Sequence, residues 1–419
     1  MTEKLKGRNF PTLRFPGFED EWEVKTLGNI MDFKVTNSFS RENLNYKAGI
    51  VKNIHYGDIH TKFQTLFDIK QEKVPYISTD ISLQRISEDF FCKEGDIVFA
   101  DASEDLNDVG KSIEIVNLSG EKVLAGLHTL LARPQKDYFH KGFNGFLFTS
   151  DNVRNQIKKE AQGSKVLSIN VGRISKIKLS IPSIKEQYKI AALLSLSDDR
   201  IITQKKIIED LALLFKGLIY RLFTQKLKLR NEQNLHFSHW QTKFGYEVFK
   251  NVTNKNHNSN LPILAITQEY GAVPRNLIDY NISVTDKSVE SYKIVEIGDF
   301  IISLRSFQGG IEYSNYNGIC SPAYIILKNR IPINSQFYRH FLKSESYIKL
   351  LNKKLEGIRD GKMISYTYFS EIELPFPSME EQDKIANFLS SLELKIETEK
   401  KILARYELQK KYLLANLFT

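Results

Sequence analysis

Few residues in this chain have the type and spacing that covalent chemistry needs. Ser321–Tyr324, "SPAY", approaches the Asn/Asp/Ser-Pro-Pro-aromatic tetrapeptide of amino-methyltransferases. Ala323 stands where the second proline belongs, and no glycine-rich cofactor loop after a strand accompanies it. Asp108–Ser112, "DVGKS", ends like a phosphate-binding loop, but the first glycine of such a loop would fall on Asp105. His236 and His239 form the one close histidine pair, with no Asp, Glu or Cys framing it as a zinc site. Cys92 and Cys320 lie one in each half, outside any CxxC or Cys/His cluster, and read as reduced thiols of a cytosolic protein. No nucleophile elbow or HExxH motif is present. These residues point to a protein that binds, not one that catalyses, with neither a metal nor a cofactor of its own.

Charge narrows the choice of partner. Fifty-nine Lys and Arg against fifty Asp and Glu leave a formal charge of +9, a surplus that favours polyanions through counterion release. The basic residues are spread along the chain, so no basic arm or tail does the binding. With 42% hydrophobic and 26% charged residues the composition is globular. No run of roughly 18 apolar residues predicts a membrane span. The basic start "MTEKLKGRNFPTLRF" lacks the apolar core of a secretory signal.

The elements that would position binding residues come in duplicate. "IPSIKEQYKIAALLSLSDDRI" at Ile181–Ile201 is answered by "FPSMEEQDKIANFLSSLELKI" at Phe376–Ile396. Upstream, "KIKLSIPS" is answered by "EIELPFPS", "EGDIVFA" by "IGDFIIS", and the segment around Trp22 by that around Trp240, the two tryptophans of the chain. A period of this length marks a tandem repeat of whole domains.

Each repeated segment opens with Ser-x-x-Glu (Ser183/Glu186 and Ser378/Glu381), the signature of a capping box. Apolar residues then step by four and three: Ile190, Leu194, Ile201, Ile208, Leu211, Phe215, Leu218 and Leu222 in the first copy. The second gives Ile385, Leu389, Leu392, Ile396, Leu403, Tyr406, Leu413 and Leu417, with polar Gln204 and Glu399 at one equivalent position. This spacing predicts a coiled-coil seam over two rods of roughly 57 Å, paired antiparallel with each other. Between them, short β-like runs bounded by Gly, Asp, Asn and Pro alternate with amphipathic helical stretches. The expected fold class is α+β: two globular mixed domains separated by two long helices forming an antiparallel coiled coil, a pseudo-two-fold tandem repeat. The expected segments are 1–180, first domain; 181–235, first helix; 236–375, second domain; and 376–419, second helix.

The doubled "PS-x-x-EQ-x-KIA-x-x-L" segments resemble the two central regions of type I restriction-modification specificity subunits. "LRFPGFEDEWEVKTLG", "KNIHYGDIHTKF", "GKSIEI" and "LRSFQGGIEYSNYNGICSPAYIIL" resemble the same family, so the likeness spans essentially the whole chain. It implies that each variable half is a target recognition domain reading one part of a split sequence in double-stranded DNA. The helices would set the spacing and dock two methyltransferase subunits, joined by restriction subunits in the full complex. S-adenosylmethionine, ATP and Mg²⁺ would then belong to those partners, and none to this chain.

Loop residues able to reach base edges or phosphates are the DNA-contact candidates. They are His60, Lys62, Ser103, Glu104, Lys111, Lys165 and Asn170 in the first half. In the second they are Gln268, Arg275, Arg305, Ser306, Gln308, Arg359, Lys362 and Tyr366, with Arg305 suited to guanine and Gln268 and Gln308 to adenine. Glu186, Gln187, Glu381 and Gln382, repeated at both helix starts, are the expected methyltransferase-facing residues. Two other readings stay open: a self-contained modification enzyme, and a coiled-coil scaffold with no DNA role.

Overall fold

The computed structural model describes residues 9–135, 138–257, 260–278, 289–353 and 364–419. Two compact units emerge, Met1–Gln204 with Ile402–Thr419, and Lys205–Lys401. Each long helix is therefore shared between the units, because its two halves bury their seams in different cores.

Both units are built on the same plan. In the first, strand Glu23–Thr26 pairs antiparallel with Lys178–Ile181, and the long helix Ile184–Phe223 starts immediately after this ribbon. In the second, Gln241–Phe244 pairs with Glu373–Phe376, and the helix Met379–Asn416 follows. Inside the first unit, the central strand Ile97–Ala100 lies between Thr129–Pro134 and Ser112–Asn117 in a five-stranded sheet. Its counterpart Phe300–Ile302 lies between Ile325–Asn329 and Glu312–Tyr313 in a four-stranded one.

Local chemistry explains why Gly-Asp is written before both central strands. Gly95 and Gly298 hold φ of +92° and +98°, a left-handed turn that a side chain resists. Asp96 then accepts the Lys93 N–H, and Asp299 the Glu296 N–H, each at 2.8 Å. Each carboxylate also meets a cation on the neighbouring strand. Arg133 grips Asp96 through two bonds of 2.9 and 2.8 Å, whereas Lys328 stands 3.8 Å from Asp299. The looser pairing leaves burial dominant, and the Asp299 carboxyl is pushed up to about 6.

The seams fall where the period places them. Every apolar seam position named above is buried or half-buried, and Gln204 and Glu399 are buried with them. In the first unit Ile190 and Leu194 share a core with Leu413, Leu417 and Phe418, and Lys410 ion-pairs with Asp198. In the second, Leu222 and Phe223 share a core with Ile385, Ala386 and Leu389. Residue numbers rise along one helix as they fall along its mate, so the pairing is antiparallel in both units. Cys92 and Cys320 are free and buried, and burial pushes the Cys320 thiol up to about 12.

Candidate nucleic-acid interface

The helix starts correct one expectation. Ser183 and Ser378 do accept the Glu186 and Glu381 N–H groups, at 3.4 and 3.3 Å. The glutamate side chains, however, do not reach back to complete a box. Glu186 is buried and bound by Arg14 through two hydrogen bonds of 2.7 and 2.9 Å. Glu381 is buried near Trp240; burial raises its carboxyl above the ordinary value, opposed by Trp240 and Lys228. Gln187 and Gln382 are fully buried. Gln187 donates to the carbonyls of Pro182 and Tyr138 and accepts from His140. Gln382 donates to Pro377 and accepts from Asn334. All four residues fasten a helix start to its own domain. All four side chains are buried, at most 3% exposed, so they do not form the methyltransferase-facing surface.

Apolar side chains of the long helices are exposed both at the helix starts (Ile184, Tyr188 and Met379) and further along the rods. In the first unit Leu196, Leu408 and Tyr412 are exposed, and in the second Leu213, Leu214 and Leu394.

In the second unit the strand Phe300–Ile302 runs out into a cleft of about 1050 Å³, lined in part by Gln268, Glu269, Tyr270, Arg305, Tyr316 and Tyr324. Arg305 is exposed there, and its guanidinium makes no ion pair or hydrogen bond among the described residues. Gln268 lies across the same cleft, but its carboxamide donates to the Arg305 carbonyl at 3.2 Å. Gln308 is exposed on the short turn of helix Ser306–Gly309. Arg275 opens a short 3₁₀ turn and is half-buried. Two candidates are corrected. Ser306 is 1% exposed and its hydroxyl accepts the Ser303 N–H at 2.8 Å. The Tyr366 hydroxyl donates to the Phe249 carbonyl at 3.0 Å beside the unit's core. Neither hydroxyl is free for DNA. Arg359 and Lys362 lie outside the described residues.

In the first unit the candidates divide by role. Lys111 donates to the His60 carbonyl at 2.6 Å, and the His60 ring lies 3.0 Å from the Ala102 carbonyl, so the two brace the loop leaving the central strand. Asn170 caps the helix Val171–Ile174, and the Ser103 hydroxyl closes a turn on Asp105. Lys62 is exposed and pairs with buried Asp58 at 2.8 Å. Glu104 and Lys165 are exposed with no bond to a described residue.

Sequence reasoning passed over three residues beside this loop. Arg41 forks onto Asp58 with two bonds of 2.7 Å. Burial alone would raise the Asp58 carboxyl, yet Arg41 and Lys62 hold it below the ordinary value. His128 sits half exposed at φ +53°, 3.2 Å from Asp101 and edge-on to Tyr56 at 5.3 Å. A non-glycine residue in that conformation is uncommon and gathers at functional loops. Its only signal in the sequence was its place just before a strand that pairs with "GDIVFA".

The arrangement is that of a DNA specificity protein: two recognition units, each seated on a helix start, with polar loops at the exit of a repeated strand. Residues 19–213 and 239–408 match the model of the type I restriction modification DNA specificity domain, and the chain belongs to that family. Members of this family select the target, and catalysis lies in the partner subunits. Among relatives, the protein described as the MjaX type I restriction enzyme specificity subunit of Methanocaldococcus jannaschii is 27% identical over 100% of this chain and 98% of its own. The MjaVIII specificity subunit of the same organism is 26% identical over 65% of this chain and 69% of its own. The crystal structure of the S subunit from M. genitalium shares the fold, with a TM-score of 0.55 at 16% identity, covering 98% of this chain and 99% of that one. A chain from a structure concerned with complex assembly and conformational transition of the type I R-M system gives 0.57 at 15% identity, covering 97% and 99%.

Proposed function

We propose that this chain reads a bipartite sequence in double-stranded DNA. Each unit contacts one part, and the paired helices set one fixed gap between the parts. The observation that carries this reading is the duplication itself. Two units share one strand plan, each fastened to a helix start by the same buried glutamine, yet carry unlike side chains on the loops meant for DNA. Stiff spacing matters because neighbouring half-sites on one face of B-DNA lie about 34–36 Å apart per turn, so a change of gap rotates one reader away from its bases.

The chain docks two methyltransferase subunits, and restriction subunits complete the assembly. The exposed leucines on the long helices suit the methyltransferase contact better than the buried Glu and Gln pairs do, because burying such side chains is favourable. S-adenosylmethionine, ATP and Mg²⁺ are carried by those partners. The complex works in the cytoplasm; among the described residues no helix is long and apolar enough to cross a membrane.

Co-expression with the methyltransferase subunits in a host free of other DNA methylation, followed by methylome sequencing, tests the proposal. The expected result is a split motif with a constant gap, in which exchange of residues 1–180 for those of a relative alters one part only. A single contiguous motif, or alteration of both parts together, would overturn it.

A further inference from the structure

We infer that Arg305 reads a guanine for the second unit and that Gln268 is its positioning residue, an inference that rests on the DNA-recognition reading above. Arg305 combines exposure with a fixed backbone. Its carbonyl accepts the Gln268 side-chain N–H at 3.2 Å and the backbone N–H groups of Gln308 and Gly309 at 2.9 and 3.3 Å. Its own N–H donates to the Ser303 hydroxyl at 3.3 Å. Gln268 is itself held, since Lys343 donates to its carbonyl at 3.1 Å while pairing with buried Glu312 at 2.7 Å.

The two glycines that follow leave room for this packing, Gly309 for a movable side chain and Gly310 for the main chain. A Cβ on Gly309 would stand 2.7 Å from the Gln268 side chain, and one on Gly310, at φ +80°, would stand 2.1 Å from the Leu342 carbonyl. The chain thus keeps its main chain fixed under a side chain that no described residue holds. Glu269 is the carboxylate of the cleft, and it makes no ion pair with Arg305 among the described residues. An arginine poised in this way has its full fork of donors available, and guanine O6 and N7 in the major groove form the matching pair of acceptors. Tyr270 and Tyr316, both exposed, flank the approach. At the equivalent strand exit of the first unit Ala102 stands in place of Arg305, so the two units read unlike bases from this position.

The test is the methylome of cells carrying the chain with its methyltransferase subunits. With Arg305→Ala, one guanine in the part read by the second unit should become degenerate, discrimination falling on the order of 10- to 100-fold. The other part and the gap should stay as in the parent. Arg305→Lys should weaken the preference for the same guanine without abolishing it, because an ammonium can reach O6 and N7 but lacks the rigid fork. Gln268→Ala and Gly309→Ala should lower the preference for that guanine with an unchanged unfolding midpoint, whereas a purely structural role would shift the midpoint instead. An unaltered motif in both Arg305 variants overturns the inference. So does a parental motif in Arg305→Lys alongside uniformly weaker, more salt-sensitive methylation in Arg305→Ala, which marks a phosphate contact. Should the alanine variant fail to assemble, Arg305→Lys and Arg305→Gln decide. If the parent chain gives no split motif, the DNA-recognition reading fails instead.

Discussion

The side-chain oxygen of Gln187 accepts the backbone N–H of His140 at 2.8 Å, joining a helix start to the domain that precedes it. Gln382 does the same to Asn334 at 2.9 Å, and each glutamine also donates to a proline carbonyl five residues back. Two halves that differ in most surface residues thus share one internal clasp. A clasp of this kind fixes the direction in which a recognition unit leaves its rod. Gln187→Ala and Gln382→Ala strand a buried N–H and carbonyl, so each should lower stability by about 2–4 kcal/mol in urea titrations. A loss below ~0.5 kcal/mol would remove the clasp from the account.

Arg14→Leu should be as harmful as a core truncation, since it abandons Glu186, whose side chain is 2% exposed. Breaking a buried pair from one side costs roughly 3 kcal/mol or more. Adding Glu186→Gln to Arg14→Leu should restore most of that. Thermal unfolding of the single and double variants gives the answer; equal losses in both would show that the charge of Glu186 is immaterial.

Acid should loosen the second unit through His340. This imidazole is buried edge-on against Phe215, and burial drives its pKa down from 6.5 to about 3. Below pH 6.5 the unfolded chain takes up a proton that the folded chain refuses. Stability is therefore lost progressively as pH falls from about 6.5 toward 3. Asp299, pushed up to about 6, works in the opposite sense, so the comparison to make is between the parent and His340→Gln. From pH 7 to 5 the parent should lose roughly 2 kcal/mol more than the variant. Parallel pH curves would refute this.

Leu408→Glu and Leu394→Glu alter side chains that are each 67% exposed. They should leave the unfolding midpoint nearly unchanged, surface substitutions being typically within ~0.5 kcal/mol, while weakening co-purification with the methyltransferase. Undiminished assembly in both would move the docking surface off this face.

His128→Ala should change the part of the motif read by the first unit and leave the second part alone. The measurement is again the methylome, and an intact first part would return His128 to a merely structural role.

The sequence by itself determined the duplicated architecture and the pairing of the rods. Helix geometry and Gly-Asp strand turns are set within a few residues, so a buried helix face leaves a period that can be read in one dimension. Ile190, Leu194, Ile385 and Leu389 were legible as seam for that reason. Only the tertiary structure decided which polar side chains are free. Glu186 and Gln187 carried the same signal as a surface patch until Arg14 and His140, 172 and 47 residues away, proved to be their partners. Ser306 and Arg305 are chain neighbours in one loop, yet one hydroxyl turns inward to the Ser303 N–H and the guanidinium turns out. His128 and Asp101 are brought together by a strand pairing across 27 residues. Whether a polar group is satisfied depends on groups distant in the chain, and no local pattern records them.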